Sequence, residues 1–173
     1  KSDKYKLLNN NINLMSKKIS LTIIVPAYNE ENTIIKLLKR IKIIEKEAYL
    51  EIIIINDGSN DNTKIILENN KDLYSELINL PKNYGKGRAV IEGLKKAKSE
   101  YIVFQDADLE YNPKDYLKIL RVLKKTKFKV VYGSRVLNTN RYRNNNFTSV
   151  IRVFANHFLT IFSNFINNQK LTD

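Results

Sequence analysis

Short apolar runs rich in β-branched residues alternate with helical stripes along most of the chain, and this alternation restricts the fold. Each run has the length of one buried strand, and each stripe repeats its apolar residues at helical spacing. Strands that alternate with helices form a parallel sheet flanked by helices. The pattern predicts strands at residues 21–25, 51–55, 76–80, 101–104 and 129–132, and helices at residues 30–46, 63–68, 86–97, 113–125 and 148–166.

Composition is that of an ordinary globular protein. The 173 residues are enough for one domain with a real core, 43% of them are hydrophobic, and there is no cysteine. No apolar run approaches the roughly 18 residues that span a membrane, and the first residues carry no secretory signal. We therefore expect a cytoplasmic protein with a polar N-terminal arm over residues 1–18 and one α/β domain over residues 19–173.

The chain is strongly basic, with 30 Lys and Arg against 18 Asp and Glu and a formal net charge of +12. Such a balance suits nucleic acid, anionic lipid or phosphorylated ligands. However, the lysines are spread along the chain, and no helix-turn-helix, zinc-finger or aromatic RNA-binding signature is present. No nucleic-acid partner is predicted, and the oligomeric state stays open.

Polar loops follow four of the predicted strands. They read PAYNEE, NDGS, QDADLE and GSR in chain order. Because ligands of parallel sheets bind outside the carboxyl ends of the strands, these four loops are expected to meet at one edge and form a site.

Acidic residues gather in one of these loops although the chain is basic. Asp106, Asp108 and Glu110 directly follow a predicted strand. Two carboxylates spaced as Asp-x-Asp can hold one hard divalent cation, which can bridge them to a diphosphate. A solvated loop before a helix would explain Asp108 and Glu110 equally well, so the spacing alone leaves both explanations open.

Together, the segments TIIVPAYNEENTI, IIINDGSNDNT, NYGKGRAVIEGLKKAKSEYIVFQDADLEYNP and VVYGSR resemble the family 2 glycosyltransferases, and most closely the dolichyl- or polyprenyl-phosphate sugar synthases. The resemblance covers about residues 20–173. It implies a GT-A fold, which is an α/β, Rossmann-like, mostly parallel sheet flanked by helices, and a catalytic domain over residues 19–173. It also implies that a hexose passes with inversion from a GDP- or UDP-sugar to a polyprenyl (dolichyl-type) phosphate, with Mg²⁺ or Mn²⁺ as cofactor.

The resemblance implies a set of donor-binding residues. Asp57 matches the acid that binds the base, although it also fits a turn residue before a glycine. The family usually has two acids there, and this chain has Asn56 at the first position. Lys86 starts a predicted helix, which is a favourable place for phosphate. The predicted nucleotide-sugar-binding residues are Pro26, Tyr28, Glu30, Asp57, Lys86 and Asp106.

The metal and acceptor residues are also implied by the resemblance. Asp106 and Asp108 match the acids of the metal loop, and Asp108 and Glu110 are the expected direct ligands. Arg135 matches the residue that holds the acceptor's phosphate, and Arg152 is a second candidate for that task. Asp106, Asp108 and Arg135 are the predicted catalytic residues.

No residue stands out in the sequence as a general base. A lipid-phosphate acceptor is already an anion and needs none, whereas a hydroxyl acceptor would require one. Two alternatives stay open: a glycosyltransferase that acts on a saccharide hydroxyl, and a nucleotide-binding or scaffolding module without turnover.

The last predicted helix has a broad apolar stripe, which has three explanations. It packs on a further segment, on a partner copy, or at a membrane, and packing is favoured. Because relatives continue past this point, we expect a C-terminal truncation, and a peripheral contact with the cytoplasmic membrane face stays open.

Overall fold

The structure, a computed structural model, describes residues 18–126, 130–131, 158 and 160–166. It divides the chain into two compact units, Lys1–Lys129 and Val130–Asp173. In the first unit, the described residues form four parallel strands in the order β3-β2-β1-β4. The strands are β1 (Ile19–Ala27), β2 (Ala48–Asn56), β3 (Glu76–Asn79) and β4 (Tyr101–Phe104), and the helices are α1 (Ile34–Lys42), α2 (Thr63–Glu68), α3 (Lys86–Lys96) and α4 (Tyr116–Lys125). Three short 3₁₀ turns lie at Ile43–Lys46, Lys71–Leu73 and Pro113–Asp115.

The two longest strands, β1 and β2, lie side by side at the centre of the sheet. They pair in register along nine residues, from Ile19 opposite Ala48 to Ala27 opposite Asn56. Their apolar runs are buried on both faces, as the near-continuous β-branched sequence predicts for a parallel sheet. The predicted α/β class is therefore confirmed.

Helices cover the two faces of the sheet unequally. The larger core joins one face to the apolar stripe of α1, which contributes Ile34, Leu37, Leu38 and Ile41, and to residues of α2 and α4. The opposite face packs against α3 through a smaller cluster that contains Ile24, Ile53, Ile55 and Ala89. Gly93 of α3 is buried directly on this second cluster.

Strand β1 continues through Pro26, where the sequence predicted its end. Backbone groups point to alternate sides along a strand. The carbonyl of Ile24 accepts from the N–H of Gln105 on the β4 side, and the carbonyl of Ala27 accepts from the N–H of Asp57 on the β2 side. The backbone nitrogen of Pro26 therefore faces the β4 side of the strand. Because β4 has already ended at Phe104, the missing N–H of Pro26 breaks no bond of the sheet.

Two other elements differ from their predicted bounds. Helix α1 starts four residues later than predicted because the carbonyl of Glu30 first closes a turn with the N–H groups of Thr33 and Ile34. The predicted fifth strand is wrong for its two described residues, since Val130 and Val131 have no regular secondary structure. Residues 1–17 of the predicted arm lie outside the described residues, and the division into an arm and one domain stays a prediction.

In the second unit, residues 160–166 are helical, as predicted. Apolar side chains are exposed at helical spacing there, at Phe158, Ile161, Phe162, Phe165 and Ile166. Over the part of the chain that the structure describes, none of the helices combines the length and the apolar character needed to cross a bilayer.

The close approach of α3 to the sheet gives a stability prediction. A Cβ added at Gly93 would lie 2.6 Å from Cγ2 of Ile24 and 2.9 Å from Cδ1 of Ile55. We expect Gly93→Ala to lower the free energy of unfolding by about 1–3 kcal/mol, because the buried side chains have to shift. Urea denaturation followed by circular dichroism measures this change.

Gly87→Ala, on the same helix, is the matched control. A Cβ at Gly87 meets no atom within 4 Å. This variant should stay within about 1 kcal/mol of the wild type, on the stabilising side. Equal stability of the two variants would contradict the packing argument.

Candidate functional site

A cavity of about 340 Å³ opens at the carboxyl ends of the strands in the first unit. Residues from the loops after β1, β2, β3 and β4 form its wall, so the structure brings together loops far apart in sequence. The described lining residues are Pro26, Ala27, Tyr28, Glu30, Asp57, Asn83, Gly85, Lys86, Asp106, Ala107 and Asp108. Every residue predicted to bind the donor is among them.

Lys86 and Asp106 form an ion pair on the cavity wall. The Nζ atom of Lys86 lies 2.5 Å from Oδ1 of Asp106, and the two side chains are 61% and 32% exposed. Lys86 begins α3, and the N-cap residue of this helix, Gly85, has no side chain that could cap it. The cation and the positive end of the helix macrodipole therefore lie together at the cavity, next to a carboxylate.

The acidic loop turns sharply after Asp108. Leu109 has a φ of +65°, and Oδ1 of Asp108 accepts a hydrogen bond of 2.9 Å from the N–H of Glu110. Asp106 and Asp108 line the cavity, but Glu110 is not among the described lining residues. Within the described residues, no three His, Cys, Asp or Glu side chains gather as a metal-binding group.

Two buried polar side chains support this acidic loop from below. Gln105 is 2% exposed, and its Nε2 atom donates to the carbonyl of Asp106 at 2.7 Å. The hydroxyl of Tyr116 on α4 donates to Oε1 of Gln105. Burial, with a smaller contribution from the charge of Asp106, raises the pKa of Tyr116 far above its usual range, so this hydroxyl stays a donor. Sequence reasoning missed Tyr116, because its contact with Gln105 joins two segments that no local pattern connects.

The loops after β1 and β2 hold each other through side chain to backbone hydrogen bonds. Asn29, at φ +57°, donates its N–H to Oγ of Ser59 at 3.0 Å, and its Oδ1 accepts from the N–H of Asn60 at 2.8 Å. The side chain of Asn60 also donates to the hydroxyl of Tyr28 at 3.3 Å. Asn29 is therefore a residue that links the two loops, and the N-cap of α1 is Thr33.

A second set of bonds joins the same two loops beside the start of α2. The N–H of Glu30 donates to Oγ1 of Thr63 at 2.8 Å. Asp61 accepts from the N–H groups of Glu31 at 3.2 Å and Thr63 at 2.9 Å. Glu31 in turn accepts from the N–H of Asn62 at 3.0 Å. The wall that carries Tyr28 and Glu30 is thus fixed to the start of α2.

Asp57 is buried at the base of the cavity, with 3% of its surface exposed. Its Oδ1 accepts from the N–H of Tyr84 at 2.9 Å, and its Oδ2 accepts from the N–H of Gly85 at 2.8 Å. Neighbouring Asn56 is also buried and donates to Oδ1 of Asn79 at 2.9 Å. Asn56, which stands where the family usually has the first of two acids, is not among the described lining residues.

The two arginines predicted at the acceptor site, Arg135 and Arg152, lie outside the described residues. The described cavity therefore contains the residues predicted to bind the donor and one of the two predicted metal ligands, Asp108.

Comparison with known proteins gives a consistent result. Residues 22–172 match the family described as Glycosyl transferase family 2. A dolichyl-phosphate beta-glucosyltransferase of Trichomonas vaginalis is 32% identical over 160 residues, which cover 84% of this chain and 49% of the relative. An undecaprenyl-phosphate 4-deoxy-4-formamido-L-arabinose transferase of Proteus mirabilis is 35% identical over 100 residues, covering 55% of this chain and 31% of the relative. The chain spans about half the length of the first of these relatives, and less of the second.

Solved structures share the fold. The glucosyl-3-phosphoglycerate synthase of Mycobacterium tuberculosis, crystallised with Mn²⁺, UDP and glucosyl-3-phosphoglycerate, superimposes with a TM-score of 0.52 at 22% identity. The match covers 67% of this chain and 43% of that structure. This likeness shows the GT-A architecture, as expected from the sequence.

The contacts of Asp61 lead to a pH-dependent prediction. Burial acts to raise the pKa of Asp61, but hydrogen bonds from Thr63 and Glu31 outweigh it and lower the pKa below its ordinary value of 3.8. The ionised carboxylate therefore stabilises the fold above about pH 4, and this contribution is lost as the pH falls through the lowered pKa. Asp61→Asn should be less stable by about 1–2 kcal/mol at pH 7, and the gap should close below about pH 4.

Urea denaturation from pH 7 to pH 2.5 measures this gap. Asp72→Asn is the control, since Asp72 is exposed on the surface. It should stay within about 0.5 kcal/mol of the wild type at each pH. A gap for Asp61→Asn that does not change with pH would show that its charge contributes nothing.

Proposed function

We propose that this chain, which belongs to glycosyl transferase family 2, takes a hexose from a GDP- or UDP-sugar and transfers it, with inversion, to a polyprenyl (dolichyl-type) phosphate. The observation that carries the donor half of this proposal is the cavity itself. It places Lys86, Asp106 and Asp108 within one wall at the carboxyl ends of parallel strands. That is where α/β sheets bind nucleotides.

In this proposal the donor's diphosphate lies beside Lys86. The ammonium group and the positive end of α3 both attract phosphate oxygens. The nucleoside lies toward Pro26, Tyr28 and Glu30, on the wall built by the loop after β1. Tyr28 is 39% exposed and offers the ring an apolar surface with a polar tip.

Asp106 and Asp108 would hold a Mg²⁺ or Mn²⁺ ion. The fit is good, because Mg²⁺ is commonly held by one or two carboxylates together with substrate phosphates and waters, and both carboxylates line the cavity. When bound, the ion would offset charge on the leaving diphosphate. Glu110, the second ligand expected from the sequence, is not a described lining residue, so the proposal places Asp106 beside Asp108 instead.

The acceptor half rests on the relatives. Two of them are named as transferases for dolichyl phosphate and undecaprenyl phosphate. A phosphate acceptor is already an anion and needs no general base, in agreement with the sequence. Arg135 and Arg152 are proposed to hold this phosphate, since a guanidinium meets phosphate oxygens in a fixed fork. The proposed location is the cytoplasm, with a peripheral contact to the membrane that holds the acceptor.

A different acceptor is the second candidate. The Mycobacterium tuberculosis protein with this fold is named for a phosphoglycerate product, so the architecture alone does not select a lipid. Transfer assays with a short-chain polyprenyl phosphate and with a sugar acceptor, each supplied with UDP- or GDP-hexose and Mn²⁺, distinguish the two. If the donor is hydrolysed and the hexose reaches neither acceptor, the lipid-acceptor proposal is overturned. If the donor is not consumed at all, a nucleotide-binding module without turnover is favoured.

The metal proposal predicts the behaviour of Asp108→Ala. Calorimetry should show that Mn²⁺ strengthens UDP or GDP binding by the wild type. In the variant, this Mn²⁺-dependent increase in affinity should be at least about tenfold smaller. Affinity without metal should change little. The control is Asp115→Ala, because Asp115 pairs with Lys118 on the surface, away from the lining residues. Unchanged Mn²⁺-dependent affinity in Asp108→Ala would overturn the metal assignment.

The acceptor proposal predicts the behaviour of Arg135→Ala in the full-length protein. Donor affinity should stay within about twofold, while transfer to a short-chain polyprenyl phosphate falls at least about tenfold. Arg135→Lys should recover part of the activity, because it keeps the charge and loses the fork. Arg40→Ala, on the exposed side of α1, is the control. If donor affinity and transfer fall together, Arg135 serves the donor and the lipid-phosphate proposal loses this support.

A further inference from the structure

We propose that Tyr116 is a positioning residue, which acts through Gln105 to hold the acidic loop in the shape that binds a divalent cation. Because Asp106 and Asp108 are the metal ligands of the proposed function, this role rests on that function. Tyr116 is 7% exposed and is not among the described lining residues, so it acts on the ion only through other groups.

Gln105 lies beneath the acidic loop, on the face of the sheet that carries the larger core. Its N–H donates to the carbonyl of Ile24 at 3.0 Å, which continues the pairing of β4 with β1 beyond Phe104. Side chains alternate along a strand, so Gln105 points to the same face as Val103, which packs on the larger core. The side chain of Gln105 is therefore removed from water and depends on partners within the protein.

The hydrogen bonds of Gln105 determine which end of its amide faces which partner. The carbonyl of Asp106 can only accept, so Nε2 must face it, and the two atoms are 2.7 Å apart. Oε1 then faces the hydroxyl of Tyr116, which has to donate because an amide oxygen only accepts. Phenol, amide and peptide carbonyl are thus all satisfied in this one arrangement.

The bond between Tyr116 and Gln105 joins the two ends of the acidic loop. Gln105 directly follows β4, and Tyr116 is the first residue of α4. The segment between them carries both proposed ligands, Asp106 and Asp108. Ala107, which separates the two ligands, is 3% exposed and packs in the larger core. The loop is therefore held at its ends and between its ligands, which limits how far the two carboxylates can move apart.

Loss of the Tyr116 hydroxyl would leave Gln105 without a satisfied arrangement. In Tyr116→Phe, Oε1 would stay buried without a donor, and turning the amide over would place Oε1 against the carbonyl of Asp106, which is also an acceptor. A buried unpaired polar atom is costly, so we expect the loop to shift until water reaches the amide. Such a shift would move Asp106 and Asp108 out of the arrangement that suits one ion.

The test is a double-mutant cycle with Tyr116→Phe and Gln105→Met, in which calorimetry measures the affinity for UDP and GDP with and without Mn²⁺. Methionine has a similar length to glutamine and removes both bonds. In Tyr116→Phe, the Mn²⁺-dependent increase in affinity should be about tenfold smaller than in the wild type, because groups that hydrogen-bond behind metal ligands support metal affinity. The double variant should lie within about twofold of Gln105→Met, since both changes remove the same chain of bonds.

Affinity without metal separates this role from a general effect on the site. Asp57, the residue predicted to bind the base, has no part in the Tyr116–Gln105 bonds. Metal-free affinity for UDP and GDP in Tyr116→Phe should therefore stay within about twofold of the wild type. Equal losses with and without Mn²⁺ would overturn the specific role, and additive losses in the double variant would show that Tyr116 does not act through Gln105.

Tyr74→Phe is the matched control. The hydroxyl of Tyr74 also donates a hydrogen bond, to the carbonyl of Leu67 at 2.9 Å, but Tyr74 is not among the described lining residues. This variant should keep the Mn²⁺-dependent increase within about twofold of the wild type. A loss equal to that of Tyr116→Phe would show that any missing phenol bond disturbs the site, and would overturn the proposal.

Hydrogen exchange in the wild type, followed by NMR, tests the Tyr116–Gln105 bond without any variant. The side-chain amide protons of buried Gln105 should exchange more slowly than those of exposed Asn60. Equally fast exchange would overturn the proposed support of the loop. Slow exchange at Gln105 in a protein whose nucleotide affinity does not respond to Mn²⁺ would leave the support standing, but would overturn the metal assignment of the proposed function and with it the role of Tyr116.

Discussion

The pairing of β1 with β2 along nine residues is the constraint on which the site depends. Because Ala27 lies opposite Asn56, the two strands end at one level, and the loops that follow them start side by side. The bond from the N–H of Asp57 to the carbonyl of Ala27 extends this pairing by one step into the loops. The isoleucines of β2 are buried on both faces of the sheet, so burial alone does not set this register. The hydroxyl of Thr22 donates to the carboxylate of Glu51, its partner in the register, and this polar pair favours the observed pairing, which in turn sets the cavity.

Local periodicity was sufficient to predict the four described strands and the helices that follow them, whereas the residues around the cavity were predicted from the family resemblance. Helix α2 and strand β4 have the predicted bounds, and the carboxyl-end rule predicted that the loops with Tyr28, Asp57 and Asp106 meet, whereas Lys86 was expected at the site from its helix start and the family resemblance. The strand through Pro26 could not be predicted, since it depends on where the neighbouring strand β4 ends. The supports of the site could not be predicted either: Tyr116, Gln105 and the partners of Asp57 act through contacts between segments that no local pattern marks.

The contacts at the cavity also explain how a basic chain carries a cluster of acids. The acids that line the cavity have donors of their own: Asp106 has Lys86, Asp57 has the N–H groups of Tyr84 and Gly85, Asp108 has the N–H of Glu110, and Glu30 has the hydroxyl of Thr33. Net charge describes the whole surface, whereas these carboxylates are satisfied one by one by neighbours within hydrogen-bonding distance. The formal charge of +12 is therefore a poor guide to the chemistry of the site.

The supports of the acidic loop consist of uncharged groups. Tyr116 donates to Gln105, and Gln105 donates to the carbonyl of Asp106, so this chain from α4 to the cavity contains a phenol, an amide and a peptide group. Dissolved ions weaken exposed ion pairs increasingly as the salt concentration rises, whereas buried groups are screened much less. Rising ionic strength should therefore loosen the exposed Lys86–Asp106 pair while the loop beneath it keeps its shape, and the cavity would change its electric field without changing its outline.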